Sequence, residues 1–188
     1  FDMKAFLKFS IPEGGFTDAA KVYLRLYPDH GGRSLSGRFA AVGLSGEAKQ
    51  AVHEELTYET LAGLDLAEGI VTAGEFAGNA WVDLDVTEYV KAQADGIYAF
   101  RLDSADEAVC FFSKDSDYAP RLIALDESCA PLYEAGAQVN LMGLDAVAAD
   151  LQFPETSGGY AVEWTTDNDT LIRSDGTVTR PAYEEGDR

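Results

Sequence analysis

Residues 81–90 read W-V-D-L-D-V-T-E-Y-V, and they set the expected architecture of the chain. The first half alternates apolar residues with two aspartates, which is the period-two pattern of a strand with one buried face. Thr87 is suited to cap a short helix that runs to about Ala94, and Gly96 is a natural C-terminal stop. The stretch therefore predicts a half-buried strand that passes directly into a helical turn.

The segments upstream of this stretch repeat the alternating pattern. Strands are predicted at Lys4–Ile11, Ala20–Tyr27 and Arg38–Leu44. Leu61–Asn79 is rich in Gly, Ala and Leu without clear alternation, so it is predicted to be a long surface connection.

Downstream, two strands with a buried face contain Phe100 and Phe111, and the polar run Asp103–Glu107 between them fits a hairpin loop. Pro120 then precedes a last strand, Arg121–Leu125, where its missing N–H is no loss. Together with the upstream strands, these segments predict an all-β fold, an antiparallel β-sandwich of jelly-roll-like form.

Three motifs stand in order along residues 1–125: K-A-F-L-K-F at Lys4–Phe9, the stretch Trp81–Val90, and S-K-D at Ser113–Asp115 followed by P-R-L at Pro120–Leu122. Together they resemble the DNRLRE-type domains and the related family 96 carbohydrate-binding modules. That family typically has a K-A-[YF]-L-K-F opening strand, a W-x-x-x-D-V-T-x-[YV]-V turn and a closing S-[RK]-[ED]…P-x-L. The resemblance implies a β-sandwich that binds carbohydrate and catalyses no reaction.

A new strand pattern begins after Gly136, so we predict a linker at residues 126–136 and a second domain at residues 137–188. Its pieces Val162–Asn168 and Ile172–Pro181 resemble the atrophied bacterial immunoglobulin-like (Ig-like) domain. That domain accompanies many secreted glycoside hydrolases, so the resemblance implies a secreted or cell-surface setting.

The local sequence of the second domain agrees with this resemblance. A Ser-Asp-Gly turn ending at Gly176 supplies the positive-φ residue of a tight hairpin, and Trp164 is a natural anchor for an inter-sheet core. An Ig-like sandwich needs about seven strands, and we count four before Arg188. We therefore expect a truncated domain here, and we also expect that the N-terminal strand of the first domain is missing.

The charge balance limits the partners. Fourteen Lys and Arg residues stand against 33 Asp and Glu residues, which gives a net charge of −19. Nucleic acids and anionic membranes are poor partners for such a surface. No apolar run approaches the length of a membrane span, so no membrane insertion is expected. Two cysteines, Cys110 and Cys129, leave open either two thiols or a disulfide, and we favour thiols because a large sandwich does not need one.

Catalysis has little support in the sequence. The chain contains no G-x-S-x-G, H-E-x-x-H, P-loop or G-x-G-x-x-G motif. Its histidines, His30 and His53, lie in polar, loop-like sequence. Carboxylate pairs occur, but with 33 acidic residues they arise by chance. We therefore predict that the chain is not an enzyme.

The candidate ligand face comes from the outward side chains of two predicted strands. Alternation places Tyr23, Arg25 and Tyr27 in one row, with Lys4 and Lys8 in another. Aromatic rings stack on the C–H faces of sugars, and cationic groups bind sugar hydroxyls or carboxylates. If the two strands are neighbours, they form a mixed aromatic and basic face for a polysaccharide, with a uronate as the natural anionic sugar. The alternative is a face that loops or solvent cover.

Three further basic candidates for an acidic sugar are Arg101, Lys114 and Arg121. Trp81 is interpreted as a packing residue beside the D-V-T turn in preference to a ligand platform.

Calcium is the metal that the sequence fits best, because oxygen ligands are abundant and clustered thiols are lacking. The candidate ligands are Asp103, Asp106, Asp115 and Asp117 in two predicted loops. No complete EF-hand loop is present, and the alternative is a pair of solvated acidic loops. Structural calcium is thus the one cofactor to consider.

Two functional hypotheses follow. The first is a non-catalytic carbohydrate-binding module with an Ig-like spacer, part of a larger secreted polysaccharide-degrading enzyme whose neighbouring domains are its partners. The second is a structural or adhesive stalk module of a bacterial cell-surface protein that binds no sugar.

Overall fold

The computed structural model describes residues 4–11, 15–29, 36–52, 56–57, 71–77, 80–104, 110–139, 147 and 149–180. The chain divides into two compact units, Phe1–Glu127 and Ser128–Arg188. Each unit is described by itself below.

The described part of the first unit consists of strands with two short helices. The strands are β1 Lys4–Ser10, β2 Lys21–Leu26, β3 Pro28–Asp29, β4 Ser36–Gly43, β5 Val71–Ala77, β6 Val82–Asp85, β7 Ile97–Ser104, β8 Cys110–Phe111 and β9 Arg121–Leu125. The helices are α1 Gly46–Ala51 and α2 Thr87–Lys91.

The strands form two principal antiparallel sheets. The first has the order β1-β7-β4-β5 and the second the order β6-β2-β9. In the second sheet, Leu24 of β2 lies opposite Leu84 on one side and Leu122 on the other. A short pair, β3 with β8, continues the course of β2 beyond Tyr27.

The core lies between the inner faces of these two sheets. Val22, Leu24 and Leu26 of β2 are completely buried, and they share one hydrophobic cluster with Phe39 and Phe100 of the other sheet. Burying large apolar side chains removes their surface from water, which is the main favourable contribution to folding. The prediction of an all-β antiparallel sandwich is therefore confirmed, as are the inward faces of β2, β6 and β7.

The predicted hairpin between the strands that contain Phe100 and Phe111 is wrong. β7 pairs with β1 and β4, whereas β8 pairs with β3 and β9 pairs with β2. These strands therefore belong to different sheets; residues 105–107 of the predicted loop Asp103–Glu107 lie outside the described residues. The physical reason is that alternation fixes which side chains of a strand face inward, but it does not identify the neighbouring strand.

Two local predictions also need correction. The interval Leu61–Asn79, predicted to be a connection, contains the strand β5, which pairs with β4 along its whole length. Thr87 does not cap α2, because the helix begins at Thr87 itself. Its hydroxyl instead accepts a hydrogen bond from the Val22 N–H at 2.9 Å and donates one to the Asp85 carboxylate at 2.6 Å. The helix also ends earlier than predicted, at Lys91 with Ala92 as its C-cap, so Gly96, with a φ of 68°, lies in the turn before β7 and does not end the helix.

Helix α2 is held to the first sheet by Tyr89. Its hydroxyl oxygen lies 2.7 Å from the Leu44 carbonyl and 2.9 Å from the Ala99 carbonyl, and it accepts a bond from the Ala99 N–H at 3.0 Å. Burial raises the pKa of Tyr89 to about 12, against hydrogen bonds that favour the ionised form. A single buried hydroxyl thus pairs backbone groups at the end of β4 and in β7.

A buried lysine joins α1 to the turn that follows α2. The Lys49 side chain is 6% exposed, and its ammonium donates to Gln93 at 2.7 Å and to both carboxylate oxygens of Asp95 at 2.7 and 2.8 Å. The hydrogen bond from Lys49 and the bond from the Ile97 N–H lower the pKa of Asp95. Buried charges are tolerated when they are paired in this way.

The second unit contains helix α3, Ala130–Ala137, and a short hairpin of β10 Thr156–Ser157 with β11 Tyr160–Ala161. The helix occupies much of residues 126–136, which the sequence predicts to be a linker. The Ser157 hydroxyl donates to the Ala135 carbonyl at 2.6 Å, which ties the hairpin to the helix.

The predicted Ser-Asp-Gly turn is present in the second unit. Ile172 and Val178 form a β-bridge, and Gly176 between them has a φ of 88°. Trp164 acts as an anchor, because its ring stacks on Phe153 at 4.5 Å and its N–H donates to the Pro154 carbonyl at 2.9 Å.

Candidate ligand-binding face

The outer face of the second sheet carries a row of charged side chains across three strands. Arg25 of β2 lies opposite Asp83 of β6 on one side and Arg121 of β9 on the other. Its guanidinium binds Asp83 through two bonds of 2.7 Å, from Nε and Nη2 to the two carboxylate oxygens. Such bidentate pairs fix both side chains in orientation.

Four aromatic rings gather where β2 passes into β3. Tyr27 is at the centre, with ring centroids 5.2 Å from Trp81, 5.7 Å from Phe112 and 4.3 Å from Tyr118. We call Tyr27, Trp81, Phe112 and Tyr118 the aromatic cluster. Tyr118 is 41% exposed, whereas the other three rings are partly buried. An exposed ring supported by partly buried rings can contact a ligand without losing its position.

The row of charges and the aromatic cluster meet at Trp81. The guanidinium carbon of Arg25 lies 5.8 Å from the centroid of the indole ring, and that of Arg121 lies 5.4 Å away. Arg121 is exposed and donates to the Asp117 carbonyl at 3.1 Å. Both distances are within the range of cation–π attraction. The result is one surface where cationic and aromatic groups are adjacent.

A second ion pair lies further along the same sheet. The Lys21 ammonium is 2.7 Å from the Asp85 carboxylate. Partial burial raises the pKa of Asp85, but hydrogen bonds from Lys21 and Thr87 outweigh this effect, so the net result is a lowered pKa. Both outward aspartates of the strand β6 are thus paired with cations of β2.

The structure brings together three of the eight residues predicted to bind a ligand. Arg25, Tyr27 and Arg121 all contact the indole of Trp81. Tyr23 lies on the same strand but is only 8% exposed, so it offers little surface to a ligand.

The expectation that Lys4 and Lys8 lie beside the outward side chains of β2 is wrong. Lys4 and Lys8 belong to β1, which pairs with β7 in the first sheet, whereas β2 lies in the second sheet. The Lys8 ammonium donates to the carbonyl of Gln50 in α1, at 3.4 Å. β1 and β2 have similar alternating patterns, but such a pattern does not show that two strands belong to the same sheet.

The two other predicted basic residues lie on the strand β7 and in a turn of the first unit. Arg101 lies on β7 and is held by Asp103, with a distance of 2.7 Å between Nη2 and the carboxylate. Lys114 is exposed in the turn that precedes Tyr118.

The candidate calcium ligands do not converge within the described part of the chain. No three side chains of His, Cys, Asp or Glu come together there as a metal site. Asp103 is paired with Arg101, Asp115 and Asp117 are exposed in one turn, and Asp106 lies outside the described residues. His30 and His53 also lie outside them. Cys110 and Cys129 are both exposed.

Sequence reasoning missed two rings of the cluster, Phe112 and Tyr118, and assigned Trp81 to packing. The available signal was the occurrence of aromatic residues just outside strand ends, at Tyr27, Trp81 and Phe112. A pattern read one strand at a time does not show that these ends meet.

None of the helices in the described residues has the length and apolar character that crossing a bilayer requires. No curated protein matches the chain. The DNRLRE-type resemblance of residues 1–125 therefore stays a sequence-based prediction.

A family model does match the C-terminal part of the chain. Because Ig-like domains are typically non-catalytic and occur as spacers or surface modules of bacteria, the match indicates an extracellular or surface setting. It also agrees with the hairpin at Gly176 and the Trp164 anchor of the second unit. Residues 135–188 are thus similar to the atrophied bacterial Ig domain.

Proposed function

We propose that the first unit is a non-catalytic carbohydrate-binding module and the second an Ig-like spacer, both parts of a larger secreted polysaccharide-degrading protein. The observation that carries the proposal is the exposed ring of Tyr118 on the aromatic cluster, with Arg121 beside it over Trp81. The sequence resemblance of residues 1–125 points to the same class of function.

The aromatic cluster supports binding because exposed aromatic surface is unfavourable in water. Tyr118 is 41% exposed, and its ring packs against those of Trp81, Phe112 and Tyr27. Sugar rings have apolar C–H faces that pack on such rings, and hydroxyls that bind neighbouring polar groups. A glycan would therefore remove this exposed aromatic surface from water.

The charges favour Arg121 as the polar contact. The guanidinium of Arg25 is neutralised by the bidentate pair with Asp83. Among the described residues, Arg121 has no carboxylate partner, and its bond to the Asp117 carbonyl leaves other N–H groups to donate. On a chain of net charge −19, such a cation is a natural contact for the carboxylate of a uronate.

The proposal is tested by affinity electrophoresis against a panel of polysaccharides that includes polygalacturonate. Tyr118→Ala should weaken retention, because removing one stacking ring costs roughly 1–3 kcal/mol by analogy with base stacking, or about 5- to 150-fold in Kd. Arg121→Ala should weaken it as well, and wild-type retention should fall as salt is added if the ligand is anionic.

The second unit supplies matched controls. Tyr160 is 41% exposed, the same fraction as Tyr118, and Arg173 is an exposed arginine like Arg121. Tyr160→Ala and Arg173→Ala should bind as wild type. Equal retention of all four variants would contradict the assignment of the ligand to the aromatic cluster.

The second candidate function is a structural or adhesive stalk module without sugar binding. The match of residues 135–188 to a bacterial Ig domain favours it, because such domains serve as spacers in both settings. Failure of the wild-type chain to bind any glycan of a broad array would select this alternative.

A further inference from the structure

We infer, on the basis of the proposed function, that Asp83 sets how strongly the ligand face favours anionic glycans. Asp83 neutralises Arg25, so that Arg121 supplies the charge that a ligand carboxylate meets. Asp83 is therefore a specificity-determining residue that acts through charge and does not need to touch the ligand.

Two arginines occupy directly opposed positions on neighbouring strands. Arg25 of β2 lies opposite Arg121 of β9. Their guanidinium carbons lie 5.8 and 5.4 Å from the centroid of the same indole ring, that of Trp81. Like charges at opposed positions of an antiparallel pair repel each other. Without a compensating charge, these residues would make this part of the face doubly cationic.

Asp83 compensates one of the two charges. It lies opposite Arg25 on the other side of β2, and its two carboxylate oxygens accept bonds of 2.7 Å from Nε and Nη2 of that residue. The side chains of Arg25 and Asp83 are 29% and 19% exposed, so water and salt screen the pair less than they screen a fully exposed one. Asp83 thus occupies the side of the Arg25 guanidinium on which a ligand carboxylate would form a bidentate pair.

Arg121 differs from Arg25 in the kind of partner that it has. It is exposed, and its Nη2 donates to an uncharged group, the Asp117 carbonyl, at 3.1 Å. A hydrogen bond to a carbonyl does not neutralise the guanidinium. Across the three strands, one carboxylate and two guanidinium groups therefore leave a single positive charge beside Trp81.

This arrangement limits the attraction of the face for anionic glycans. A first carboxylate of the ligand meets Arg121, whereas a second one close to it meets Arg25 already paired and the negative charge of Asp83. Removing the Asp83 charge should raise the positive charge of the row from one to two. Affinity for a polyuronate should then increase, because electrostatic attraction grows with the charge of the face.

The experiment varies the two charges separately in the full chain, with polygalacturonate as the probe in affinity electrophoresis. Asp83→Asn keeps the shape of the side chain and should bind about two- to fivefold more tightly than wild type at low salt. Its retention should also fall more steeply as salt is added. Arg25→Gln leaves the Asp83 carboxylate without this cation and should bind more weakly than wild type. The double variant should recover most of the binding that Arg25→Gln loses.

A purely structural role of Asp83 predicts a different result. If Asp83 only holds Arg25 in place, Asp83→Asn should bind more weakly than wild type, with an unchanged dependence on salt, and this would overturn the inference. Asp167→Asn changes the charge of the chain by the same amount in the second unit, where the side chain is exposed, and should bind as wild type. A gain by Asp167→Asn equal to that of Asp83→Asn would also overturn it.

Thermal unfolding checks that each variant is folded. If Asp83→Asn is unfolded, the double variant is compared with Arg25→Gln, because these two chains also differ only in the charge of Asp83. Tighter binding by the double variant supports the inference, and equal or weaker binding overturns it.

The outcomes separate this inference from the proposed function. If wild type binds only neutral glycans of a broad array, Asp83→Asn should acquire retention by polygalacturonate. Wild-type binding to any glycan without a gain for polygalacturonate in Asp83→Asn would overturn the inference and leave carbohydrate binding in place. Absence of binding by wild type and by every variant to the whole array would overturn both.

Discussion

The backbone N–H of Ala99 donates a 3.0 Å hydrogen bond to the hydroxyl oxygen of Tyr89. Both residues are buried, and the ring comes from α2 while the amide lies within β7. Because no water reaches this position, the amide depends on the tyrosine for its partner. The Tyr89 hydroxyl therefore couples the helix to the first sheet, in addition to the packing of its ring on Phe100.

Removing this atom should destabilise the first unit. Tyr89→Phe keeps the ring but leaves the Ala99 amide without its acceptor, which should cost about 1–3 kcal/mol of unfolding free energy. Urea unfolding at neutral pH measures the difference. The control is Tyr160→Phe, which removes an exposed hydroxyl and should have no measurable effect. Equal stability of the two variants would show that the buried hydroxyl contributes nothing.

The same residue predicts a loss of stability at high pH. Its pKa is raised to about 12 in the folded chain, whereas an unfolded tyrosine ionises near 10. The stabilisation is thus fully present below about pH 10 and is lost as the pH rises towards 12. The advantage of wild type over Tyr89→Phe should shrink across this window in unfolding measurements. An advantage that stays constant from pH 9 to 12 would contradict the assignment.

Replacing Lys49 and replacing Asp95 should destabilise the first unit by unequal amounts. Asp95→Asn leaves the ammonium of a buried lysine without its counter-charge, whereas Lys49→Met leaves only a partly exposed carboxylate behind. Asp95→Asn should therefore lower the Tm more than Lys49→Met does. Asp115→Asn, at an exposed turn, is the control. The reverse order of the two Tm values would show that the pair does not depend on burial of the lysine.

This pair also gives stability a dependence on acid pH. The pKa of Asp95 is lowered from its ordinary value of 3.8 by the hydrogen bond from Lys49. The resulting stabilisation is present above about pH 4 and is lost as the pH falls through the lowered value. Acid unfolding should accordingly begin at higher pH in Asp95→Asn than in wild type, as circular dichroism would record.

The turn at residue 176 of the second unit should require glycine. The φ of Gly176 is 88°, and a Cβ at this position would clash with the Leu151 carbonyl oxygen. Gly176→Ala should therefore destabilise this unit, whereas Gly136→Ala in α3, where a Cβ meets nothing within 4 Å, should be neutral or slightly stabilising. Trp164 fluorescence in a Trp81→Phe background reports the melting of this unit alone. An unchanged midpoint for Gly176→Ala would contradict the strained turn.

The buried faces of the strands could be predicted because each strand carries its own signal. In β2, the residues Val22, Leu24 and Leu26 alternate with polar or amphipathic ones, and all three are completely buried. In contrast, β5 was missed because Val71–Ala77 contains Gly, Ala and Thr and lacks that alternation. Its position follows from pairing with β4, which is information about another part of the chain.

The candidate site was only partly predictable for the same reason. Arg25 and Tyr27 follow from the outward register of β2, and Arg121 follows from the start of β9. That these residues meet at Trp81 depends on the order β6-β2-β9, which no single segment specifies. Lys8 was placed beside them wrongly because its strand has the same pattern but joins the other sheet.

The position of Tyr27 directly after β2 has a consequence for how the proposed ligand face can be varied. The strand that leads to this ring is also the strand whose inner side chains fill the core, so its geometry is bound to the integrity of the fold. Phe112 and Tyr118 come instead from the turn-rich segment between β8 and β9, which contributes little to that core. Selection or engineering could therefore replace Phe112 and Tyr118 without disturbing the scaffold, provided that Tyr27 is kept. A library confined to residues 112–119 would therefore vary the proposed ligand face with little effect on the core.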